Sequence, residues 1–188
     1  MKKRLLVKEN VCLQVIDVQQ SLMAKINGAD KVTATVELMI RCAKILRIPI
    51  IANIQYRKGL GAYVQSIESL LGDIPQLDKV EFNAVVNDRT NAVLDGLPKE
   101  VDTIILAGVE THICIYQTAM GILAKGLDVW VLTDGVSSRN IDDHQVGLLR
   151  LKSMGVSLGS SEMLIYELLG KAGSPEFKEI LPFVIARG

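Results

Sequence analysis

The sequence predicts a single α/β domain over residues 1–188, built as a three-layer α/β/α sandwich around a doubly wound, mainly parallel sheet. Apolar, β-branched runs alternate with segments of helical periodicity almost from end to end. The strands are continuously apolar, as is typical of parallel sheets covered by helices on both faces. Right-handed crossovers between such units produce an open sheet, and its ligand crevice lies beyond the carboxyl ends of the strands.

The elements follow one another in a regular order. A strand at residues 11–16 ends at Asp17, and a long helix at about 32–46 follows, because apolar residues recur there at helical spacing. Pro49 lies at the start of the second strand, where a missing N–H is tolerated. The remaining predicted elements are strand 48–54, a Gly-containing loop at 57–61, helix 63–71, an extended piece at 79–82, helix 91–94, strands 103–106 and 127–132, helix 142–154, strand 156–158, and helices 161–169 and 175–183.

Composition and charge limit the functional classes. The chain has 21 basic and 21 acidic residues, so it lacks the basic excess of a nucleic-acid-binding protein, and we expect no nucleic-acid partner. No apolar run reaches the length of a membrane span, and charged residues interrupt the N-terminal apolar stretch before a signal peptide could form. Three dispersed cysteines argue against a disulfide framework. These features predict a cytoplasmic protein with no membrane partner.

The most informative segment runs from Ile104 to Cys114. An apolar strand stops at Gly108, and Thr111 is a candidate cap for a helix that begins there. Cys114 would then lie in the first turn of that helix, where free N–H groups and the helix dipole favour a thiolate and offer an oxyanion site. The alternative is that Cys114 is an ordinary small core residue.

Two further residues are candidates for chemistry at the same edge. Asp17 can serve as a general base, although a strand-end aspartate is more often a cap or a loop anchor, and Asp134 occupies the same kind of place. Lys79, flanked by apolar residues, can stabilise a thiolate or an oxyanion, although taken alone it is typical of a surface lysine. His112 precedes the cysteine by two residues without implying a dyad, and His144 is expected to be solvated.

Together, these positions resemble the isochorismatase-like cysteine hydrolases. The resemblance rests on Val-Ile-Asp-Val-Gln at 15–19, the isolated Lys79, Gly-Val-Glu-Thr-His-Ile-Cys at 108–114 and Asp-Gly-Val-Ser-Ser-Arg at 134–139. Within the family, the segments at 55–61, 160–162 and 175–180 are similar to those of the isochorismatase domain-containing proteins found also in animals. The resemblance implies the isochorismatase-like hydrolase fold.

The resemblance also implies a mechanism. Asp17, Lys79 and Cys114 would form a catalytic triad that hydrolyses a small amide or related C–N acyl compound through a thioester. A cis peptide between Val109 and Glu110 would aim the Glu110 N–H, with that of Cys114, at the substrate oxyanion. Nicotinamidases of the family hold a metal with an Asp/His cluster after the second strand, and this chain has Ile-Gln-Tyr-Arg-Lys at 54–58. We therefore expect no metal and no other cofactor. Because Cys114 is present, isochorismate itself is not the expected substrate.

Substrate specificity is expected to come from side chains near the ends of the strands. The candidates for the substrate pocket are Gln19, Gln55, Tyr56, Phe82 and His112. The resemblance implies a homo-oligomer, either a dimer or a tetramer. Two alternatives stay open: a catalytically silent oligomeric scaffold, and a thiol redox sensor based on Cys114.

Overall fold

A computed structural model describes residues 4–186 and contains one sheet of six parallel strands in the order β3-β2-β1-β4-β5-β6. The strands are β1 Val11–Ile16, β2 Ile50–Gln55, β3 Gln76–Lys79, β4 Thr103–Val109, β5 Asp128–Ser137 and β6 Ser157–Gly159. β2 pairs with one side of β1, and β3 pairs with the outer side of β2. β4 then pairs with the other side of β1. This reversal of strand order creates a crevice at the carboxyl ends of β1 and β4.

Helices cover both faces of the sheet, which confirms the predicted three-layer architecture. They are α1 Gln20–Met23, α2 Ala29–Leu46, α3 Arg57–Leu60, α4 Gln65–Leu71, α5 Asp88–Asp95, α6 Tyr116–Ala124, α7 Ile141–Ser153, α8 Ser161–Leu169 and α9 Pro175–Ile185. None of them, over the part of the chain that the structure describes, is both long enough and apolar enough to cross a membrane.

The two faces of β1 belong to two separate hydrophobic cores. Leu13 and Val15 pack in a core with α2, α4, α8 and α9, whereas Cys12 and Ile16 pack in a core with α5, α6 and α7. Because successive side chains of a strand point to opposite faces, a continuously apolar strand must be covered on both. Coverage on both faces therefore explains why the residues of this strand are continuously apolar in the sequence.

Some element boundaries differ from the prediction. The extended piece expected at 79–82 is instead strand β3, which ends at Lys79, because the polar Gln76 and Asp78 alternate with buried residues at the edge of the sheet. The loop expected at 57–61 contains the short helix α3, and α1 was not predicted. β5 continues to Ser137, beyond the predicted end at residue 132, after a register shift opposite β4.

Candidate active site

Three strand ends bring the predicted catalytic residues together. Asp17 directly follows β1, Lys79 is the last residue of β3, and Cys114 lies in the turn after β4. All three are buried, with relative exposures of 1%, 2% and 7%. The strand order, rather than sequence proximity, makes this meeting possible, because parallel strands present their carboxyl ends at one edge.

The Lys79 ammonium is the centre of the arrangement. Its Nζ donates to Asp17 Oδ2 at 2.8 Å, lies 3.9 Å from Cys114 Sγ and reaches the backbone carbonyl of Glu81 at 3.3 Å. It also donates to the side-chain oxygen of Gln55. A fully buried lysine is uncommon unless it is paired, and here an anion and two neutral oxygens provide the partners. The typical reading of a lone lysine as a surface residue is therefore wrong at this position.

Asp17 leaves the strand in an unusual backbone conformation. Its φ is +57°, in the left-handed region, which an aspartate adopts more readily than most side chains. Its N–H still bonds to the carbonyl of Asn53 at 3.0 Å. Oδ1 has no hydrogen-bond partner among the residues that the structure describes. Burial raises the pKa of Asp17, and the positive charge of Lys79 opposes this only in part.

The turn that carries Cys114 is not the α-helical start that was expected. Residues Thr111–Ile115 form a π-helical turn, and α6 begins only after it. Thr111 does not cap this helix; its hydroxyl contacts His144 Nδ1 at 2.8 Å. His144 is thus half-buried and hydrogen-bonded rather than solvated, and burial lowers its pKa. The Thr111 side chain therefore links the turn to α7 and does not cap the helix.

The thiol of Cys114 is not activated by its place in the turn. Its pKa is raised to about 12, chiefly by burial and also by the negative charge of Asp17, whereas the positive charge of Lys79 lowers it by less. The expectation that the helix N-terminus favours a thiolate is therefore wrong for the resting site. Desolvation of a buried thiol outweighs the partial charge of a helix end, which acts only over the first turn.

The backbone before the turn has the peptide geometry that the resemblance implies. The bond between Val109 and Glu110 is cis. The Glu110 carboxylate accepts hydrogen bonds from the N–H and the Nε of Arg139, the first at 2.8 Å. The side chain of Glu110 therefore contacts the connection between β5 and α7.

Three of the five pocket candidates bind other parts of the protein. Gln19 is fully buried, and its amide bonds to the backbone of Gln55 and Gly61, so it secures the segment after β2 and is not available to a substrate. Gln55 holds the Lys79 ammonium through its side-chain oxygen. His112 is half-buried and contacts Ser138 Oγ through Nδ1 at 2.9 Å.

The other two candidates are exposed aromatic residues. Tyr56 follows β2 and is 49% exposed, whereas Phe82 follows β3 and is 53% exposed. The Phe82 backbone lies beside α6, because its carbonyl accepts from Thr118 Oγ1 at 3.5 Å. Thr118 lies in α6, so the Phe82 backbone is next to the helix that directly follows the turn with Cys114. About half of each aromatic residue is therefore exposed.

Several contacts of the site were not singled out from the sequence. Glu81 contributes only a backbone oxygen, which no side-chain pattern reveals. Arg139 and Ser138 belong to the 134–139 segment that supported the family resemblance, and this was the only available signal for them. A contact between residues about 30 positions apart depends on the packing of α7, and local sequence does not encode it.

The described residues hold no group of three or more His, Cys, Asp or Glu side chains arranged to bind a metal ion. The segment after β2, where a metal cluster would be expected in a nicotinamidase, supplies Gln55, Tyr56 and the basic start of α3. The residues in this crevice therefore do not fit a metal centre. The three cysteines are all free and buried.

Comparison with known proteins identifies the family of the chain. The model of the isochorismatase domain matches residues 11–163. The chain belongs to the isochorismatase-like hydrolase family. Among its relatives, the secreted isochorismatase effector Isc1 of Phytophthora sojae is 33% identical over 178 residues, covering 93% of this chain and 84% of that protein. Isochorismatase domain-containing protein 2A of Mus musculus is 33% identical over 175 residues, covering 93% and 82%. The predicted resemblance to this family is confirmed.

Solved structures support the same fold. The MAR1 ribonuclease of Caenorhabditis elegans superimposes with a TM-score of 0.90 at 33% identity, covering 97% of this chain and 93% of that one. The Escherichia coli YcaC gene product, described as an octameric hydrolase of unknown specificity, gives a TM-score of 0.86 at 21% identity, covering 100% and 91%. The latter similarity supports the fold alone.

Proposed function

We propose that this protein is a metal-independent cysteine hydrolase that cleaves a small amide, or a related acyl compound, at its C–N bond. The observation that carries the proposal is the position of the Lys79 ammonium, 2.8 Å from the Asp17 carboxylate and 3.9 Å from the Cys114 sulfur. A nucleophile, a base and a cation in one buried crevice are the groups that activated-nucleophile catalysis needs.

The nucleophile has to be generated during the reaction. Because the pKa of Cys114 is raised to about 12, the resting thiol is neutral. Asp17 therefore accepts the thiol proton as the sulfur attacks the substrate carbonyl. We assign this proton to Oδ1, the carboxylate oxygen that is left without a hydrogen-bond partner among the described residues. Lys79 holds the other oxygen, Oδ2, and so fixes the orientation of the base.

The chemistry then proceeds in two halves. The C–S bond forms, and the carbonyl oxygen becomes an oxyanion that the backbone N–H groups of Glu110 and Cys114 stabilise. When this intermediate collapses, the C–N bond breaks, and Asp17 returns its proton to the leaving amine. Asp17 next deprotonates a water molecule, which attacks the thioester and releases the carboxylic acid and the Cys114 thiol.

The substrate is proposed to lie between the catalytic crevice and the exposed aromatic residues. Tyr56 follows the strand that supplies Gln55, and Phe82 follows the strand that supplies Lys79. Aromatic side chains with about half of their surface exposed can bury it against an apolar substituent of the substrate. His112 lies in the same turn as the nucleophile and is a further candidate for contact with the substrate.

A homo-oligomer, a dimer or a tetramer, is part of the proposal. Large apolar side chains are more than 60% exposed on β3–α5 connections and on α7, including Val80, Val86, Val146 and Leu149. Burial of such side chains against a second copy would be favourable. Light scattering of the purified protein tests this state.

The cytoplasmic location also remains a prediction, and one relative is named a secreted effector.

Turnover of a substrate panel tests the chemistry. We expect the wild type to hydrolyse at least one member of a panel of amides, ureides and carbamoyl compounds, and Cys114→Ala to be inactive. Cys42→Ala is the matched control, because it removes another buried thiol on the opposite side of the sheet. Mass spectrometry of a rapidly quenched reaction should show the acyl group on the peptide that contains Cys114. Undiminished turnover by Cys114→Ala would contradict the proposal.

The panel also separates the alternatives. A single-stranded RNA belongs in it, because the Caenorhabditis elegans structure is described as a ribonuclease. We expect no RNA cleavage, since the chain has no net positive charge. A scaffold would give no turnover and no acyl adduct with any compound. A redox sensor would instead show Cys114 oxidised by mild peroxide more readily than Cys12 and Cys42.

A further inference from the structure

The turn that carries the nucleophile is tied to the start of α7 by three consecutive residues. The Glu110 carboxylate binds Arg139, the Thr111 hydroxyl contacts His144 Nδ1 at 2.8 Å, and His112 Nδ1 contacts Ser138 Oγ at 2.9 Å. Their partners lie in the connection between β5 and α7 and in the first turns of α7. The start of α7 and the connection before it therefore contact all three residues from Glu110 to His112, which lead from β4 towards Cys114.

The helix can come this close because Gly147 faces the turn. A Cβ at this position would lie 3.1 Å from both the Cα and the N of His112. Such a contact is tighter than ordinary packing, and a larger residue would push α7 away from the turn. The close approach is consistent with α7 supporting the catalytic backbone.

The contact between Glu110 and Arg139 is the most constrained of the three. The Arg139 N–H donates to Oε2 at 2.8 Å, and its Nε lies 3.1 Å from Oε1 and 3.2 Å from Oε2. The Glu110 side chain is only 11% exposed, whereas the Arg139 side chain is 60% exposed. A carboxylate held from both the backbone and the side chain of one residue has little rotational freedom.

We propose that Arg139 is a positioning residue for the hydrolysis, because it fixes the Glu110 side chain and so orients the peptide unit whose N–H receives the substrate oxyanion. The inference rests on the proposed function. Arg139 acts through Glu110 and does not itself touch the reacting atoms. Small displacements of an oxyanion donor reduce catalysis strongly, so a residue that fixes its position contributes to kcat.

A second consequence is electrostatic. The charged groups that act on the thiol are Asp17 from β1, Lys79 from β3 and Glu110 from its own turn, and both carboxylates raise the pKa of Cys114. His112 belongs to the turn itself, and on the α7 side His144 contacts Thr111, and Asp143 Oδ2 lies 3.9 Å from His112 Nε2. Arg139 compensates the charge of Glu110. Loss of Arg139 should therefore disfavour the thiolate, whereas loss of the Glu110 charge should favour it.

Three variants test the proposal in the full-length protein. Arg139→Gln removes the charge and the Nε donor, Arg139→Lys keeps the charge, and Glu110→Gln keeps the backbone N–H while it removes the carboxylate. For Arg139→Gln we expect kcat to fall by about tenfold, with KM changed by less than about twofold, because the oxyanion donor acts mainly in the transition state. Arg139→Lys should recover part of kcat. Lys125→Gln, which breaks an ion pair with Asp95 away from the site, is the matched control and should retain wild-type kinetics.

Alkylation of Cys114 provides a readout that does not require a substrate. At one fixed pH, well below the thiol pKa, the iodoacetamide rate should fall severalfold in Arg139→Gln and rise severalfold in Glu110→Gln, since the rate follows the thiolate fraction. In the double variant, the rate should match that of Glu110→Gln, because Arg139 acts only through the carboxylate. Peptide mapping assigns the label, and thermal unfolding verifies that each variant is folded.

The outcomes are distinct. Unchanged kcat together with an unchanged alkylation rate in Arg139→Gln would overturn the proposal. A raised KM with normal kcat would also overturn it, because Arg139 would then contact the substrate directly. If the wild type turns over no compound of the panel, the proposed function fails, and the alkylation rates still decide whether Arg139 acts on the thiol through Glu110.

Discussion

Asp17 and Asp134 show how differently two similar sequence positions are used. In the sequence each is expected to close an apolar strand, but in the structure only Asp17 follows its strand, whereas Asp134 lies within β5 because that strand continues to Ser137. In the structure, Asp17 is 1% exposed, forms an ion pair with Lys79 and leaves Oδ1 without a partner among the described residues. Asp134 is half-buried, and its two oxygens accept from the N–H and the hydroxyl of Ser161, at 2.9 and 2.7 Å.

The difference comes from the place of each strand in the sheet. β1 lies at the reversal of strand order, so the carboxylate at its end meets residues from β3 and β4. β5 lies between β4 and β6, and the residue opposite its aspartate is the first residue of α8. The carboxylate of Asp134 therefore joins β5 to α8, the helix that follows β6. A strand-end aspartate becomes a candidate base only where the topology places a nucleophile and a cation beside it.

The largest contrast is expected in catalysis. Asp17→Asn should lower kcat on the best substrate of the panel by about 10²- to 10⁴-fold, the usual contribution of a general base. Asp134→Asn should leave kcat near that of the wild type, because its two carboxylate oxygens accept from Ser161 at the start of α8. Steady-state kinetics of the two purified variants measure this difference.

Folding has to be checked in the same samples, because Asp17→Asn leaves Lys79 without its anionic partner. Lys79 retains the oxygens of Gln55 and Glu81 as acceptors, so we expect the variant to fold. Equal losses of kcat in folded Asp17→Asn and Asp134→Asn would remove the distinction between the two aspartates.

The next largest effect concerns the strand contact that positions Asp17. Gly108 in β4 has a φ of +125°, and a Cβ there would lie 1.9 Å from the carbonyl oxygen of Ile16. Gly108→Ala must separate β1 from β4, so we expect a loss of more than about 3 kcal/mol in the free energy of unfolding. Chemical denaturation measures this loss.

Gly126→Ala is the control for this measurement, since Gly126 has a φ of +81° but no atom within 4 Å of the added Cβ. Backbone strain alone should cost it about 1 kcal/mol. If both variants lose the same free energy, the close approach of the two strands is not what requires glycine at residue 108.

The contrast between the two aspartates also marks what sequence can predict. The wholly buried strands β1 and β4, together with the helical periodicity between them, predicted the layers and the edge at which Asp17 and Cys114 meet. The short edge strand β3 was misplaced, because half of its residues are polar and face solvent. Lys79 was therefore placed at the start of an extended segment, although it ends a strand.

Protonation was the least predictable property. The sequence places Cys114 near a helix end, where thiolates are favoured, but burial and neighbouring carboxylates decide its pKa. The Gln19 amide likewise faces backbone groups that no local pattern reveals. Contacts of this kind depend on distances between elements, which follow from packing.

A smaller effect is expected on the reactivity of the thiol. The charge of Asp17 raises the pKa of Cys114, so Asp17→Asn should lower that pKa and increase the thiolate fraction at any pH below it. The alkylation rate of Cys114 should then rise, by about tenfold if the pKa falls by about one unit. Asp134→Asn should not change the rate.

This result would separate two roles of Asp17, because the same substitution makes the thiol more reactive towards iodoacetamide and the enzyme slower towards its substrate. A fall in the alkylation rate of Asp17→Asn would contradict the expectation that the charge of Asp17 disfavours the thiolate of Cys114.

The smallest expected effect is structural and belongs to Asp134. Asparagine can accept one hydrogen bond from Ser161 but loses the second acceptor and the charge, so Asp134→Asn should cost about 1 kcal/mol of unfolding free energy. Ser161→Ala removes the hydroxyl that donates to Oδ2 and should cost a similar amount. Because both changes remove the same bond, the double variant should lose less than the sum of the two. Additive losses would show that Asp134 stabilises the protein through other contacts, and its role as a link between β5 and α8 would then be wrong.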